Sequence, residues 1–421
     1  MKTMYLDVTV PRVVLTRILG RISRDAYFAP TSPLHLDELP DPELPGHDWV
    51  RVRNRLCGIC GSDLHQIFVD ASLDVAPTAL PSHQRIYLGH EMVGDVVEIG
   101  NAVRDFEIGD RVVRWGRADD CRARSRDELC PACARGHRVL CEFASEPRAH
   151  HPIGGGFGDS YITPASTLLH VPDDLTDEQA TLVEPAAVAI HAATRLDPKG
   201  FEKPFGSEKR VLVLGVGVIG YLLIQAIRAL EPDCEITALA QFDWQAELAI
   251  KSGAHHTFLA RDDGFAQVAR LTGAKVYARG DNRMLMGGFD AVFDVVGIAS
   301  TLNNALRWTR AGGTVVLVGV NLHRMKLDVT PVWYQEVNLI GAVGHDVVTW
   351  NGEALSTFEL AMKWMQSGKL NCDGLVTHRF ALSEYRQAFK VATDKKMYRS
   401  VKVIFKLDAD RCARGRTRME K

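Results

Sequence analysis

Cys60, His90, Glu91 and Glu184 are a thiol, an imidazole and two carboxylates, each in a short loop or at an element end: G-I-C-G-S-D, L-G-H-E and L-V-E-P. A borderline-soft divalent ion such as zinc takes S, N and O donors of this kind. With about three protein ligands it keeps one position open for another molecule. A single histidine in a G-H-E turn is more often structural, so the joint pattern carries the weight. A second group, Cys130, Cys133 and Cys141 in CPACARGHRVLC, supplies three of the four thiolates that a closed structural zinc needs.

A different chemistry is written at GVGVIG, where Gly215, Gly217 and Gly220 follow the apolar run KRVLVL and precede a helical pattern. In that strand–turn–helix setting the first glycine permits the tight turn and the second lets backbone approach a pyrophosphate. The third allows close helix–strand packing, with the phosphates at the helix N-terminus beside Val218 and Ile219. The residue about 20 positions on is acidic when it grips an NAD ribose. Here that place holds Ala240 and then Gln241, with Asp243 slightly later and no arginine for a 2′-phosphate. The motif therefore names a nicotinamide dinucleotide and leaves NAD or NADP open.

These residues need elements to hold them. WVRVRNRL, MVGDVVEIG and DRVVRW read as strands separated by Gly, Asp and Asn, which gives a β-rich domain. An Arg- and Cys-rich irregular stretch follows. EQATLVEPAAVAIHAATRL then reads as one helix, and KRVLVLG, EITALA, FDAVFDVVG and GTVVLVG are apolar strands alternating with helices. That alternation is the signature of a doubly wound parallel sheet. STFELAMKWMQSG and SVKVIF return to mixed helix and strand, and the tail ADRCARGRTRMEK is basic and apolar-poor.

The set C-G-I-C-G-S-D-L-H (57–65), G-H-E (89–91), G-D-R-V (109–112), E-P-A-A-V-A-I-H (184–191), G-V-G-V-I-G (215–220) and T-H-R-F (377–380) resembles the zinc-dependent medium-chain dehydrogenase/reductase superfamily over roughly residues 10–405. The E-P-x-x-V-x-x-H segment is similar to its polyol, threonine and glucose dehydrogenase branch. The resemblance implies an α/β fold: a Rossmann doubly wound parallel sheet plus a β-rich GroES-like catalytic domain. The expected boundaries are 1–186 for the catalytic domain with its lobe at about 116–145, 187–345 for the dinucleotide domain, 346–408 for a return to the catalytic domain, and 409–421 for the tail.

By the same resemblance Cys60 and His90 become zinc ligands, and Glu91 and Glu184 alternative ligands or neighbouring carboxylates. Asp63 orients the site, Ser62 accepts a hydrogen bond from the bound alcohol, and His65 passes the proton outward. Cys57 is then a packed residue at a strand end rather than half of a pair. In the lobe the x2 and x7 intervals of the family's C-x2-C-x2-C-x7-C are intact, but Asp127 stands where the first cysteine belongs. Cys121, nine positions before Cys130, is the preferred fourth ligand from a longer loop; Asp127 and a lobe without metal are the alternatives.

The bulk numbers agree with an enzyme of this kind. The chain has 421 residues, enough for two domains, with 46% apolar and 24% charged residues. A net charge of -2 gives no reason to expect nucleic acid or an anionic membrane as partner. The N-terminus lacks the apolar run of a secretory signal, and six of nine cysteines fall between Cys57 and Cys141, which points to metal in a reducing, cytoplasmic setting. The expected activity is hydride transfer between a secondary alcohol or polyol, or the corresponding ketone, and NAD(P), in a homodimer or homotetramer. A biosynthetic ketone reductase is the variant reading. A non-catalytic dinucleotide-binding protein and a zinc-ribbon nucleic-acid binder are the readings from other classes.

Overall fold

The computed structural model describes residues 1–71, 85–116, 119–144, 146, 150–196, 209–280 and 282–407. The chain forms two compact units, Met1–Glu184 with Cys372–Lys421, and Pro185–Asn371.

The first unit opens with β1 (Lys2–Leu6), helix α1 (Val10–Gly20) and β2 (Leu34–Glu38). The three-stranded sheet β2-β1-β4 is completed by β4 (Ile86–Tyr87), which follows β3 (Trp49–Gly58) and helix α2 (Gly61–Ile67). The larger sheet runs through β3, β5 (Glu91–Ile99), β6 (Arg111–Arg114) and β8 (Leu168–His170), with β7 (Ser160–Pro164) paired on β3.

The WVRVRNRL alternation explains β3 directly. Val50 and Val52 are wholly buried while Arg51, Arg53 and Arg55 point out to Glu98, Asp95 and Asp177. Val50, Val52, Val96, Phe157 and Phe405 belong to the core that this sheet covers. The register Gly58↔Glu91 between antiparallel β3 and β5 decides the chemistry. It sets the residues just after β3 beside those just before β5, and so brings the Cys60 loop to the His90 turn.

The stretch EQATLVEPAAVAIHAATRL forms two helices, Asp177–Thr181 and Val183–Thr194, rather than one. Pro185 lies in the first turn of the second, where its missing N–H costs nothing but where it could not continue a preceding helix.

In the second unit β9 (Arg210–Leu214), β10 (Glu235–Ala240), β11 (His256–Leu259), β14 (Phe289–Asp294), β15 (Thr309–Leu317) and β16 (Asn338–Gly341) form an all-parallel sheet in the order β11-β10-β9-β14-β15-β16. That is the doubly wound order, with the switch point beside β9. Val211 to Leu214 and Val292 are buried, as strands covered on both faces must be. Between β11 and β14 a hairpin, β12 (Lys275–Arg279) and β13 (Asn282–Met286), is added to the doubly wound pattern.

The return to the first unit comes at residue 372 rather than 346. Residues 347–366 form the hairpin β17 (Val347–Trp350) and β18 (Glu353–Ser356) and the helix Thr357–Gln366, whose Phe358, Leu360 and Trp364 are buried. Asn371 then exchanges two hydrogen bonds with Gln225 (2.7 and 3.0 Å), which ties this segment to the helix after the glycine turn. Among the described residues, β19 (Val376–Ala381) and β20 (Lys402–Lys406) rejoin the larger sheet of the first unit, β20 pairing with β3. The tail 409–421 lies outside the described residues.

Candidate active site

Cys60 ends the short loop after β3 and caps α2; His90 lies in the turn just before β5, which Glu91 opens. One ligand atom from each of Cys60, His90 and Glu91 lies within 4.8 Å of the others. Asp63 orders the group. Its carboxylate accepts the Cys60 N–H (3.1 Å) and the Gly89 N–H (3.3 Å) and lies 3.4 Å from His90 Nδ1. That contact orients the ring so that Nδ1 faces the carboxylate and Nε2 faces Cys60 and Ser62, and in the neutral imidazole it would place the proton on Nδ1, as a ligating histidine needs. Burial opposes protonation of His90, but Asp63 and Cys60 outweigh it and hold its pKa well above the ordinary value.

Ser62 Oγ is 3.5 Å from His90 Nε2, so it faces the trio rather than capping α2, a job done by Asp63. His65, one turn further along α2, points Nδ1 at Asp70 Oδ2 (2.8 Å). Cys57 is wholly buried within β3 and burial pushes its thiol up, away from metal or redox chemistry. Glu184 is not one of the close trio. Desolvation raises its pKa to about 7, with His90 opposing and Glu91 reinforcing the rise.

Sequence reasoning missed two residues here. Lys402, on β20, places Nζ 2.7 and 2.5 Å from the two Glu91 carboxylate oxygens, and both side chains are buried. Asp70 as the partner of His65 was missed as well; its place five residues on was the only signal available.

The lobe holds the second cluster. One sulfur from each of Cys121, Cys130, Cys133 and Cys141 lies within 4.8 Å of the others, and all four are buried. The eight described cysteines are free thiols. Thus Cys121, and not Asp127, joins the three. Burial opposes ionisation of Cys130, but N–H groups of Cys133 and Glu142 bring it down to about 7. Next to Cys121, the buried Asp120 caps the Arg122 and Ala123 N–H groups and pairs with Arg138 at 2.6 Å. Four thiols without disulfides suit one tetrahedral zinc.

In the second unit Gly215 adopts φ +100°, and a Cβ at Gly220 would collide with the Gly215 carbonyl. Both glycines are therefore required by the turn. Gly217 caps the helix Val218–Leu230, whose first residues are Val218 and Ile219, so free N–H groups are presented at the carboxyl end of β9. Ala240 closes β10 and is buried; Gln241 N–H is taken by the Gln245 side chain. Asp243, exposed, is paired with Arg261 at 2.7 Å.

With this geometry in place, residues 46–173 match the alcohol dehydrogenase GroES-like domain family and residues 218–366 the zinc-binding dehydrogenase family. The chain belongs to the zinc-dependent medium-chain dehydrogenase/reductase superfamily and is an NAD(P)-dependent oxidoreductase. It is 31% identical to D-arabinitol dehydrogenase 1 of Uromyces fabae over 83% of this chain and 88% of that one. Among solved structures it is similar to an oxidoreductase/dehydrogenase of unknown specificity from Escherichia coli, at TM-score 0.67 and 26% identity over 89% of this chain and 95% of that one. It shares its fold with an Escherichia coli alcohol dehydrogenase solved with NADH, at TM-score 0.69 and 19% identity over 96% and 99% of the two chains. No helix among the described residues is long and apolar enough to cross a membrane.

Proposed function

We propose that this enzyme interconverts a secondary alcohol or polyol and the corresponding ketone with NAD(P), at a catalytic zinc held by Cys60 and His90. The observation that carries the reading is a contrast in access. Cys60 and His90 are partly open to solvent, whereas the four lobe thiols are buried. An open donor set beside a hydroxyl suits catalysis, and a closed set of four thiolates suits structure.

A bound zinc supplies Lewis acidity, which makes an alcohol a stronger acid near neutral pH. Gly215, Gly217, Val218, Ile219 and Gly220 would hold the pyrophosphate of a nicotinamide dinucleotide, with Ala240 and Gln241 beside its ribose, and that cofactor would supply the hydride chemistry. The remaining work falls to this chain's side chains. Asp63 aligns His90, and Ser62 Oγ, which faces that ring, accepts the hydrogen bond of the substrate hydroxyl and releases its own proton as it takes the substrate's. His65, one helical turn along and braced by Asp70, passes that proton outward. Glu184 is the exchangeable carboxylate near the site, and Cys121, Cys130, Cys133 and Cys141 hold the structural zinc. A polyol rather than a simple alcohol is favoured by the likeness to an arabinitol dehydrogenase. Free thiols throughout the described chain suit the cytoplasm, and a homodimer or homotetramer is the assembly this reading carries.

The test is a screen for nicotinamide reduction, with NAD and NADP, against secondary alcohols and polyols. Turnover of at least one vicinal diol or polyol supports the reading; reduction by none of them, with zinc bound, overturns it.

A further inference from the structure

Helix α1 presents its apolar face to solvent. Val10, Val14, Ile18 and Ile22 recur every fourth residue, with Leu15 and Leu19 beside them, so the six share one side of the helix and its last turn. That side points away from the protein, and the six are 38–83% exposed. The opposite side carries the polar groups and holds the helix down. Val13 and Thr16 are buried, Arg12 donates to the Pro30 and Ser32 carbonyls (3.1 and 2.9 Å), and Arg17 donates to the Ala71 carbonyl (2.6 Å). A Cβ at Gly20 would collide with the Tyr27 ring, which in turn packs edge-on against Phe68 at 5.2 Å. These contacts fix the rotation of α1 about its axis and keep the aliphatic stripe outward.

Charge decides what can cover the stripe. The two aspartates that flank the helix in sequence are engaged elsewhere: Asp7 pairs with Arg12 at 3.5 Å, and Asp25 lies within electrostatic reach of Arg386. Arg21 and Arg24 flank Ile22, are exposed, and have no carboxylate partner among the described residues. The whole-chain charge of -2 thus hides a local excess of cations at one end of an apolar face. A second copy of the chain is a poor occupant. An antiparallel helix pair would set Arg21 and Arg24 against a helix N-terminus with no acidic residue in its first turn, and a parallel pair would set them against themselves. Six aliphatic side chains also fall short of the about 800 Å² per partner that a stable interface buries, and the stripe offers no aromatic anchor. A bilayer needs no such fit: it takes an aliphatic stripe to the acyl boundary and holds cations at anionic headgroups. We propose that α1 docks this enzyme on an anionic phospholipid surface, with Val14, Leu15, Ile18, Leu19 and Ile22 seated at the headgroup boundary and Arg21 and Arg24 on lipid phosphates. The attachment is independent of the catalytic reading given above.

The test is co-sedimentation of the purified full-length enzyme with vesicles of phosphatidylcholine alone and of phosphatidylcholine mixed with phosphatidylglycerol. Wild type is predicted to bind the mixed vesicles at least about tenfold more tightly than the neutral ones, and less tightly as salt is raised. Ile18→Asp/Ile22→Asp is predicted to lower binding to the mixed vesicles at least about tenfold. Arg21→Gln/Arg24→Gln, which leaves the stripe intact, is predicted to lower it about tenfold and to leave the weaker binding to neutral vesicles unchanged. All four side chains are exposed, so thermal unfolding and nicotinamide reduction in solution should match wild type in both variants. Wild type that stays in the supernatant with mixed vesicles overturns the inference, as does wild-type binding by either folded variant. A sedimentation-velocity mass that Ile18→Asp/Ile22→Asp halves would show that the stripe joins two copies, which also overturns it.

Discussion

The Cys121 sulfur lies 3.7 Å from that of Cys141, although the two residues are separated by 20 positions and Cys121 stands outside the C-x2-C interval of its neighbours. The loop from 119 to 129 folds back to make this contact, and the Cys130 N–H points at Cys121 Sγ at 3.4 Å. Cys121→Ser should therefore remove the lobe's zinc and destabilise the protein by about 3 kcal/mol, which corresponds to a Tm lower by roughly 10 °C. Asp127→Ala should change stability by no more than about 0.5 kcal/mol. Metal analysis and thermal unfolding of the two variants measure both effects. Zinc loss in Asp127→Ala alone would reverse the assignment.

Cofactor choice is predicted to turn on Ala240. A carboxylate at the end of β10 would accept hydrogen bonds from a ribose diol and repel a 2′-phosphate. Ala240→Asp should raise the ratio of kcat/KM for NAD to that for NADP by about tenfold. An unchanged ratio would mean that the ribose does not lie at this strand end.

Two thiols give the pH dependence of stability a definite sign. Burial raises Cys372 to about 12, with Asp373 adding to the rise, and raises Cys234 to about 12, with Glu231 adding to it; an ordinary thiol stands at 9.0. Below pH 9 both the folded and unfolded chains keep these protons. Between pH 9 and 12 the unfolded chain releases them and the folded protein does not, so stability falls as pH rises. At about 1.4 kcal/mol per unit, each thiol costs about 4 kcal/mol across that window. Urea unfolding of Cys372→Ala should show a shallower alkaline decline than wild type. The same burial predicts that neither thiol reacts with a disulfide reagent at pH 8 in the folded protein.

Much of the site was legible because its signals are local. G-S-D after Cys60, the G-H-E turn and the glycine turn each put the deciding residues within one turn or strand end, where spacing dictates proximity. The parallel sheet was legible from the apolar strands alternating with helices. Lys402 was not legible, since it is 311 positions from Glu91 and only the pairing of β20 with β3 brings the two together. The choice between Cys121 and Asp127 needed the fold of an irregular loop that no periodicity describes. The boundary at 346 moved to 372 because the Gln225–Asn371 hydrogen bonds join residues far apart in sequence. Helix α1 and the β12–β13 hairpin were not anticipated. Pro11 interrupts the start of the first pattern, and the second is a short insertion with all of β12 exposed.

The central claim is that a metal at Cys60 and His90 performs the reaction, and one variant tests it. Zinc content and nicotinamide reduction should be measured together for wild type and Cys60→Ser. The account predicts about two zinc per chain in wild type and about one in the variant, with turnover lowered at least ~1,000-fold. Cys60→Ser that keeps both zinc ions, or that loses one and still turns over at the wild-type rate, would contradict it.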